Sequence, residues 1–264
     1  MADLPPSGPT LNRLVRIDIG GDLTPSGSGA PEIPIDPTLV DPYWADVVFL
    51  SHFDILSDDL TITDISSANV GSCVITAGSG GTISSDAFKW SPTALNCTKA
   101  GLQVTSILNS GAFNRPSGLN FTYEFWFLNE TVGGSDFDSG YFFIADGDVL
   151  RLAVQGTTAF GVAITKIHLD NLNYNVGAFS LNEWHHLALV IVGNDVTVYV
   201  DGELQLTVAN GASILPSFAS LCVGGPQGSA NVNWAMDDLR ITRGVARYTA
   251  NFTPPPAPFP NRGP

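Results

Sequence analysis

The sequence predicts an all-β protein, an antiparallel sandwich or barrel that follows an extended N-terminal arm rich in proline and glycine. Three observations carry this. From Ala45 onward, short runs of β-branched and aromatic residues recur along the chain. Turn dipeptides stand between them: Asp146-Gly147, Gly193-Asn194, Asp201-Gly202 and Asn210-Gly211. No run shows a convincing helical period.

The arm is read as residues 1–43, and the sheet domain as residues 44–264 with a proline-rich C-terminal tail. In the arm, Pro5, Pro6, Pro9, Pro25, Pro31, Pro34, Pro37 and Pro42 recur among Gly and Ser without a hydrophobic period. Each proline fixes φ and removes a backbone donor, so an extended segment is expected. LVRIDIGG is the exception, because Val15, Ile17 and Ile19 alternate with polar residues as a strand would. That strand has no sequential partner and is expected to reach another chain, with Val15, Ile17 and Ile19 as the attachment residues.

The strand candidates follow in order: VVFLSHF, LTITDI, SCVITA, GLQVTSI, FTYEFWFLN, YFFIADG, VLRLAVQ, AFGVAIT, WHHLALVIV, DVTVYVDG, LQLTVAN, SLCVGG and WAMDDLRIT. FTYEFWFLN carries bulk on both faces and reads as a central strand. In the clearest hairpin, Val196, Val198 and Val200 precede Asp201-Gly202, and Leu204, Leu206 and Val208 follow it. A two-residue loop sets Val200 opposite Glu203. Placing both apolar triplets on one face instead needs a three-residue loop or a bulge, and the longer loop is the expectation.

Composition narrows the function. The 264 residues carry 11 basic and 25 acidic side chains, a formal charge of −14, so a phosphate-binding surface for nucleic acid is not expected. The longest apolar runs fall short of the ~18 to 20 residues a spanning helix needs. MADLPPSGPT has neither a basic nor an apolar targeting region, and a soluble, unprocessed chain without membrane insertion is expected. Cys73, Cys97 and Cys222 lack CxxC spacing, which indicates neither a disulfide framework nor a zinc site. The sequons at Asn96, Asn120, Asn129 and Asn251 are expected to be idle.

These residues resemble the laminin G-like, concanavalin A-like jelly roll, in the version common in bacteriophage virion proteins. The resemblance spans about 47–260 and rests on VVFLSHFD, FTYEFWF, LNEWHHLALV, VTVYVDGEL, LCVGG and, most specifically, WAMDDLRITRGVARYTANFTPPPAPFP. It implies that DDLRIT pairs near VVFLSHF, with the tail running back along the sandwich. It also implies a structural calcium between the first and last strands, held by Asp54 with Asp237 or Asp238, although Ile55 stands where the family has glycine. No cofactor is required. The W-x-H element, Trp184 and His186, is a packing feature in that family.

From the residues themselves, Arg243, Arg247 and Tyr248 are assigned to clamping the tail, with an anion or sugar site on Arg240, Arg243 and Arg247 as the alternative. Glycoside cleavage needs two carboxylates about 5 to 10 Å apart. None of Glu32, Glu124, Glu130, Glu183 and Glu203 falls in the E-x-D-x-x-E spacing. Glu124 alone sits mid-strand, where pointing to a wet sheet face or accepting a structural hydrogen bond is the expectation, so an enzyme is not expected. What remains is a virion protein on the particle exterior, as capsid decoration or as a tail or fibre component. Its expected partners are other virion proteins, copies of itself in a homo-oligomer with a trimer favoured, and a host-surface glycan. The competing reading is a carbohydrate-binding adhesin, with Trp90, Trp126 and Trp234 as stacking platforms.

Overall fold

The computed structural model describes residues 39–54, 61–66, 68, 73–74, 81–90, 92–97, 106–109, 111–113, 116, 118–130, 139–145, 150–157, 162–169, 172–210, 220–223 and 233–264. They all belong to one compact unit, Ile33–Pro264. The attachment residues Val15, Ile17 and Ile19 lie outside the described residues.

The strands are β1 (Val47–Ser51), β2 (Thr61–Ile62), β3 (Cys73–Val74), β4 (Gly81–Ser84), β5 (Ala94–Cys97), β6 (Ser106–Asn109), β7 (Phe121–Asn129), β8 (Ser139–Ala145), β9 (Leu150–Thr157), β10 (Val162–Leu169), β11 (Leu172–Ser180), β12 (Trp184–Val192), β13 (Asp195–Val200), β14 (Glu203–Val208), β15 (Ser220–Val223) and β16 (Trp234–Arg243). Among the described residues, eight of them form a sheet in the order β14-β13-β12-β7-β16-β5-β4, with β1 also on β16. A second sheet runs β11-β10-β9-β8-β15-β6, and β2 pairs β3. Every pairing is antiparallel. This is the jelly-roll sandwich that the resemblance implies, with first strand against last: Phe49 pairs Ile241 and Ser51 pairs Leu239.

β7 is central, held between β12 and β16. Its period of two sends Phe121, Tyr123, Phe125 and Phe127 into the core with Leu187, Leu189, Ile191, Val196, Val198, Met236 and Ile241. Val176 and Phe179 of β11 pack against them from the second sheet. The opposite face of β7 presents Thr122, Glu124 and Trp126, all buried, because the C-terminal tail lies over it. Ala188, Val190 and Tyr199 pack there against Ala246, Tyr248 and Phe252.

A bulge in β16 makes both faces work. Asp237 pairs Trp126 and Arg240 pairs Glu124, so one extra residue stands opposite β7. Asp238 absorbs it at φ +58°. The core positions therefore step from Trp234 and Met236 to Leu239 and Ile241, an interval of three where a flat strand would have two.

The hairpin corrects one expectation. Its loop is the two-residue turn Asp201-Gly202, both at positive φ, and Val200 pairs Glu203. A bulge beside Leu204 then restores register, so that Val198 faces Leu206 and Val196 faces Val208. Asp-Gly suits the tight turn well enough that the extra residue moves into the strand, and Leu204 is left 52% exposed. Asp201 Oδ1 accepts the His186 N–H at 2.9 Å and holds the turn against β12.

The arm's expected boundary at residue 43 also moves. Asp41 is 1% exposed and its N–H donates to the Arg262 carbonyl at 2.9 Å, so residues before β1 are part of the folded unit.

Gly202 meets two demands at once. Its φ of +80° suits glycine, and a Cβ there would lie 1.8 Å from the Phe252 carbonyl oxygen, where the tail docks through Phe252 N–H to Gly202 O at 2.9 Å. Gly202→Ala is expected to cost about 3 kcal/mol in equilibrium unfolding, from the steric demand and the strained backbone together.

Candidate functional site

Two clusters of ionisable side chains lie along β16, one on each side of its bulge. The first is a buried lattice of two acids and two arginines. Glu124, fully buried at the centre of β7, accepts from Arg240 Nε at 2.9 Å and from the Tyr248 hydroxyl at 2.7 Å. Asp41 accepts from Arg240 Nη1 at 3.0 Å and from Arg247 through both terminal nitrogens, at 3.0 and 2.7 Å. His186 Nε2 stands 3.4 Å from Glu124 Oε2, and Arg247 Nε donates to Thr242 Oγ1 at 2.6 Å. Arg240 also stacks over the Phe259 ring, 3.9 Å from its centroid. Burial pushes the Glu124 carboxyl upward, but Arg240, His186 and Arg247 outweigh it and hold Glu124 well below the usual carboxylate range.

An acid in that state is anionic at any working pH and engaged on both oxygens. Of the two expectations for it, a wet sheet face and a structural hydrogen bond, its burial leaves the second. Arg247 and Tyr248 clamp the tail, joined by Arg240. The alternative anion site is filled from within the chain, since Asp41 and Glu124 are the anions that Arg240 and Arg247 hold.

The second cluster is His52, Asp54, Asp237 and Asp238. The fold does bring together the residues expected to hold calcium. Their bonds do not fit the ion. Calcium takes about six to eight oxygens, yet Asp238 has one oxygen on His52 Nδ1 and the other on the Phe259 N–H at 2.7 Å. Asp237 Oδ2 accepts the N–H groups of Lys89 at 2.8 Å and Trp90 at 3.2 Å, and Asp54 is exposed at the rim. Among the described residues no group of three or more His, Cys, Asp or Glu side chains is placed to hold a metal. The calcium expectation is corrected accordingly: an imidazole stands against the carboxylate that would have been a ligand. Burial lowers the His52 pKa, but Asp238, with Asp54 and Asp237, overcomes this and raises it. Burial and the Asp238 charge push Asp237 up to about 7.

The tryptophans expected as sugar platforms do not form an exposed patch. Trp234 is 6% exposed and belongs to the core, because β16 points it inward beside Met236. Trp126, 5% exposed, lies on the outer face with Trp90 edge-on to it at 5.6 Å and Lys89 Nζ over its ring at 4.1 Å. Trp90 is half-buried. His185 and His186 point to opposite faces as their adjacency requires: His185 Nδ1 reaches Asp201 Oδ2 at 2.6 Å, while His186 packs on Trp126. Sequence reasoning missed Asp41, His52 and Lys89. Of these only Asp41 carried a signal, as an acid immediately before the first strand in a chain whose last strand offers arginines.

With the geometry described, comparison with known proteins decides the family. Residues 102–246, more than half of the chain, match the model described as the concanavalin A-like lectin/glucanases superfamily. The chain belongs to that superfamily. Its fold also recurs in solved structures. The binding domain of Paraclostridial Mosquitocidal Protein 1 is 15% identical, with TM-score 0.56 over 78% of this chain and 50% of that one. The binding domain of Botulinum neurotoxin DC, in complex with rat synaptotagmin II, is 11% identical with TM-score 0.53 over 76% and 48%. Trypanosoma rangeli sialidase is 13% identical with TM-score 0.52 over 75% and 30%. The chain spans half or less of these solved chains, and the likeness is one of fold. No curated protein matches it. As the superfamily's description covers lectins and glucanases alike, membership alone assigns neither binding nor hydrolysis.

The lectin-like domain should show a defined stability profile with pH. His52 and His185 have raised folded pKa values, the latter because Asp201 outweighs burial, and Asp237 is raised to about 7. A raised folded pKa contributes stability fully present below the unfolded pKa and lost as pH rises through the folded value. Glu124 and Asp201, both depressed, contribute above their unfolded values and lose it in acid. The melting temperature is expected to peak near pH 4 to 5, where Glu124 and Asp201 are ionised and Asp237 is still protonated. It should fall by on the order of 5 °C by pH 9, and again below about pH 4.

Proposed function

We propose that this chain is a non-enzymatic structural protein of a bacteriophage particle, displaying its lectin-like jelly roll on the exterior as a capsid decoration or a tail or fibre component. The observation that carries the reading is the meeting of the folded unit's two ends: the Asp41 N–H donates to the Arg262 carbonyl at 2.9 Å, and Asp41 also binds Arg247 of the tail. A unit whose ends lie together can be tethered at one place. The resemblance of the ending WAMDDLRITRGVARYTANFTPPPAPFP to phage-encoded copies of the fold supports the virion context. The full engagement of Glu124 by Arg240 and Tyr248 supports a role without glycoside cleavage. Homo-oligomers, with a trimer favoured, and contact with other virion proteins through the N-terminal arm belong to the same proposal.

A second reading, a carbohydrate-binding adhesin, is favoured by the superfamily itself and by two fold neighbours that are binding domains of toxins. The two readings are compatible within one protein.

Quantitative mass spectrometry of purified particles tests the first. The chain is expected at hundreds of copies if it decorates the capsid and at a few if it belongs to a tail or fibre. Its absence from particles would overturn the reading. Glycan-array binding by the full chain, without release of reducing ends from the bound glycans, would add the second.

A further inference from the structure

Lys89 places its ammonium 4.1 Å from the centroid of Trp126 and 5.3 Å from that of Trp90, and the two indoles meet at 89°. This is a two-walled aromatic corner with a cation in it. The surroundings are acidic: the charges of Asp201 and Asp237 both act on the ammonium. The corner is also incompletely bonded. Trp90 Nε1, Trp126 Nε1 and His186 Nδ1 are buried without hydrogen-bond partners among the described residues, and the His186 ring sits 5.2 Å from Trp126. Buried donors of this kind are ordinarily satisfied, so the two indole N–H groups leave hydrogen-bonding capacity unused at the corner among the described residues. Asp237 holds the segment in place by accepting the backbone N–H groups of Lys89 and Trp90, so the walls stay fixed when the lysine side chain moves.

We propose that the Trp90–Trp126 corner is a binding site for an alkylammonium group of a surface ligand, filled in the resting chain by the side chain of Lys89. The resident lysine shows the chemistry the corner accepts. An ammonium is attracted by the electron-rich ring faces and the charges of Asp201 and Asp237, and hydroxyl or carbonyl oxygens beside it would accept from the idle indoles. The backbone of Lys89 is tied, yet its ammonium has no carboxylate within ion-pairing distance among the described residues, and burial lowers its pKa. It is therefore held by the rings and can be exchanged for another cation. The inference does not depend on which particle or surface carries the chain.

Two experiments on the full-length protein test it. The first follows acetylation of Lys89 by a water-soluble amine reagent, with Lys99 and Lys166 as internal references. Tetramethylammonium should raise the rate at Lys89 severalfold over sodium chloride of equal ionic strength and leave the references unchanged. The second titrates tryptophan fluorescence with choline and with D-glucosamine, whose responses distinguish a quaternary from an amino-sugar source. Lys89→Ala should bind at least one of them about tenfold more tightly than the wild type, as removal of a resident cation from a desolvated ring site implies. The uncharged isostere 3,3-dimethyl-1-butanol should not compete, and adding Trp126→Leu should abolish binding. An unchanged Lys89 acetylation rate overturns the exchange, and equal affinities of wild type and Lys89→Ala overturn the site. Should Lys89→Ala fail to fold, the acetylation result on the native chain decides.

Discussion

Four buried charges, Asp41 and Glu124 against Arg240 and Arg247, govern the arrangement of everything on the outer face of the large sheet. Taking any one of them out of water alone would cost several kcal/mol. They are tolerable only together, when each carboxylate has its guanidinium and the remaining donors find Tyr248 and Thr242. Because the four come from the approach to β1, from β7, from β16 and from the tail, the lattice closes only when both ends of the folded unit have docked. Tail and sheet are thereby one cooperative structure. Tyr248 stacks on Phe252 at 3.6 Å, Phe252 docks on Gly202, and Phe259 lies under Arg240.

The same lattice decides what the face can do. A glutamate in mid-strand among aromatics is the residue a hydrolase would need, but here it is flanked by permanent cations and shielded from solvent. Its proton affinity is driven down, whereas a general acid needs it raised. Asp237 at the β16 bulge is raised instead, yet it accepts the Lys89 and Trp90 N–H groups, and Asp238 beside it binds His52 and the Phe259 N–H. The face also carries ring surfaces, indole N–H groups without partners among the described residues, and a cation held at their corner.

Much of this was legible in the sequence, for identifiable reasons. The faces of β7 and β13 followed from a period of two. The pairing of first and last strands and the clamped tail came from the resemblance and from the prolines that must leave the sheet. β11 escaped notice because Asn173, Asn175 and Gly177 interrupt its apolar pattern, and β4 and β5 are too short to show one. The β16 bulge was present as a three-residue interval between Met236 and Leu239, a break at Asp237-Asp238 that a chemical reading took for cation ligands. The hairpin's extra residue was foreseen, but its place was not, since the pattern fixes the number of residues between faces and the turn's own preference fixes where the surplus goes. Trp126 and Trp234 show the limit of residue type: indoles suited to stacking on sugars are equally suited to cores, and only the fold separates the two.

The charge lattice bolts the ends of the folded unit to the sheet. Amide hydrogen exchange of the full-length Asp41→Asn variant against the wild type tests it most directly. Protection at the Phe252 and Phe259 amides, which donate to Gly202 and Asp238, should fall by at least about a hundredfold, the scale of roughly 3 kcal/mol expected on breaking a buried ion pair. Protection along the core strands β7 and β12 should fall far less. A tail that keeps its protection while Arg240 and Arg247 lack the Asp41 charge would contradict the account.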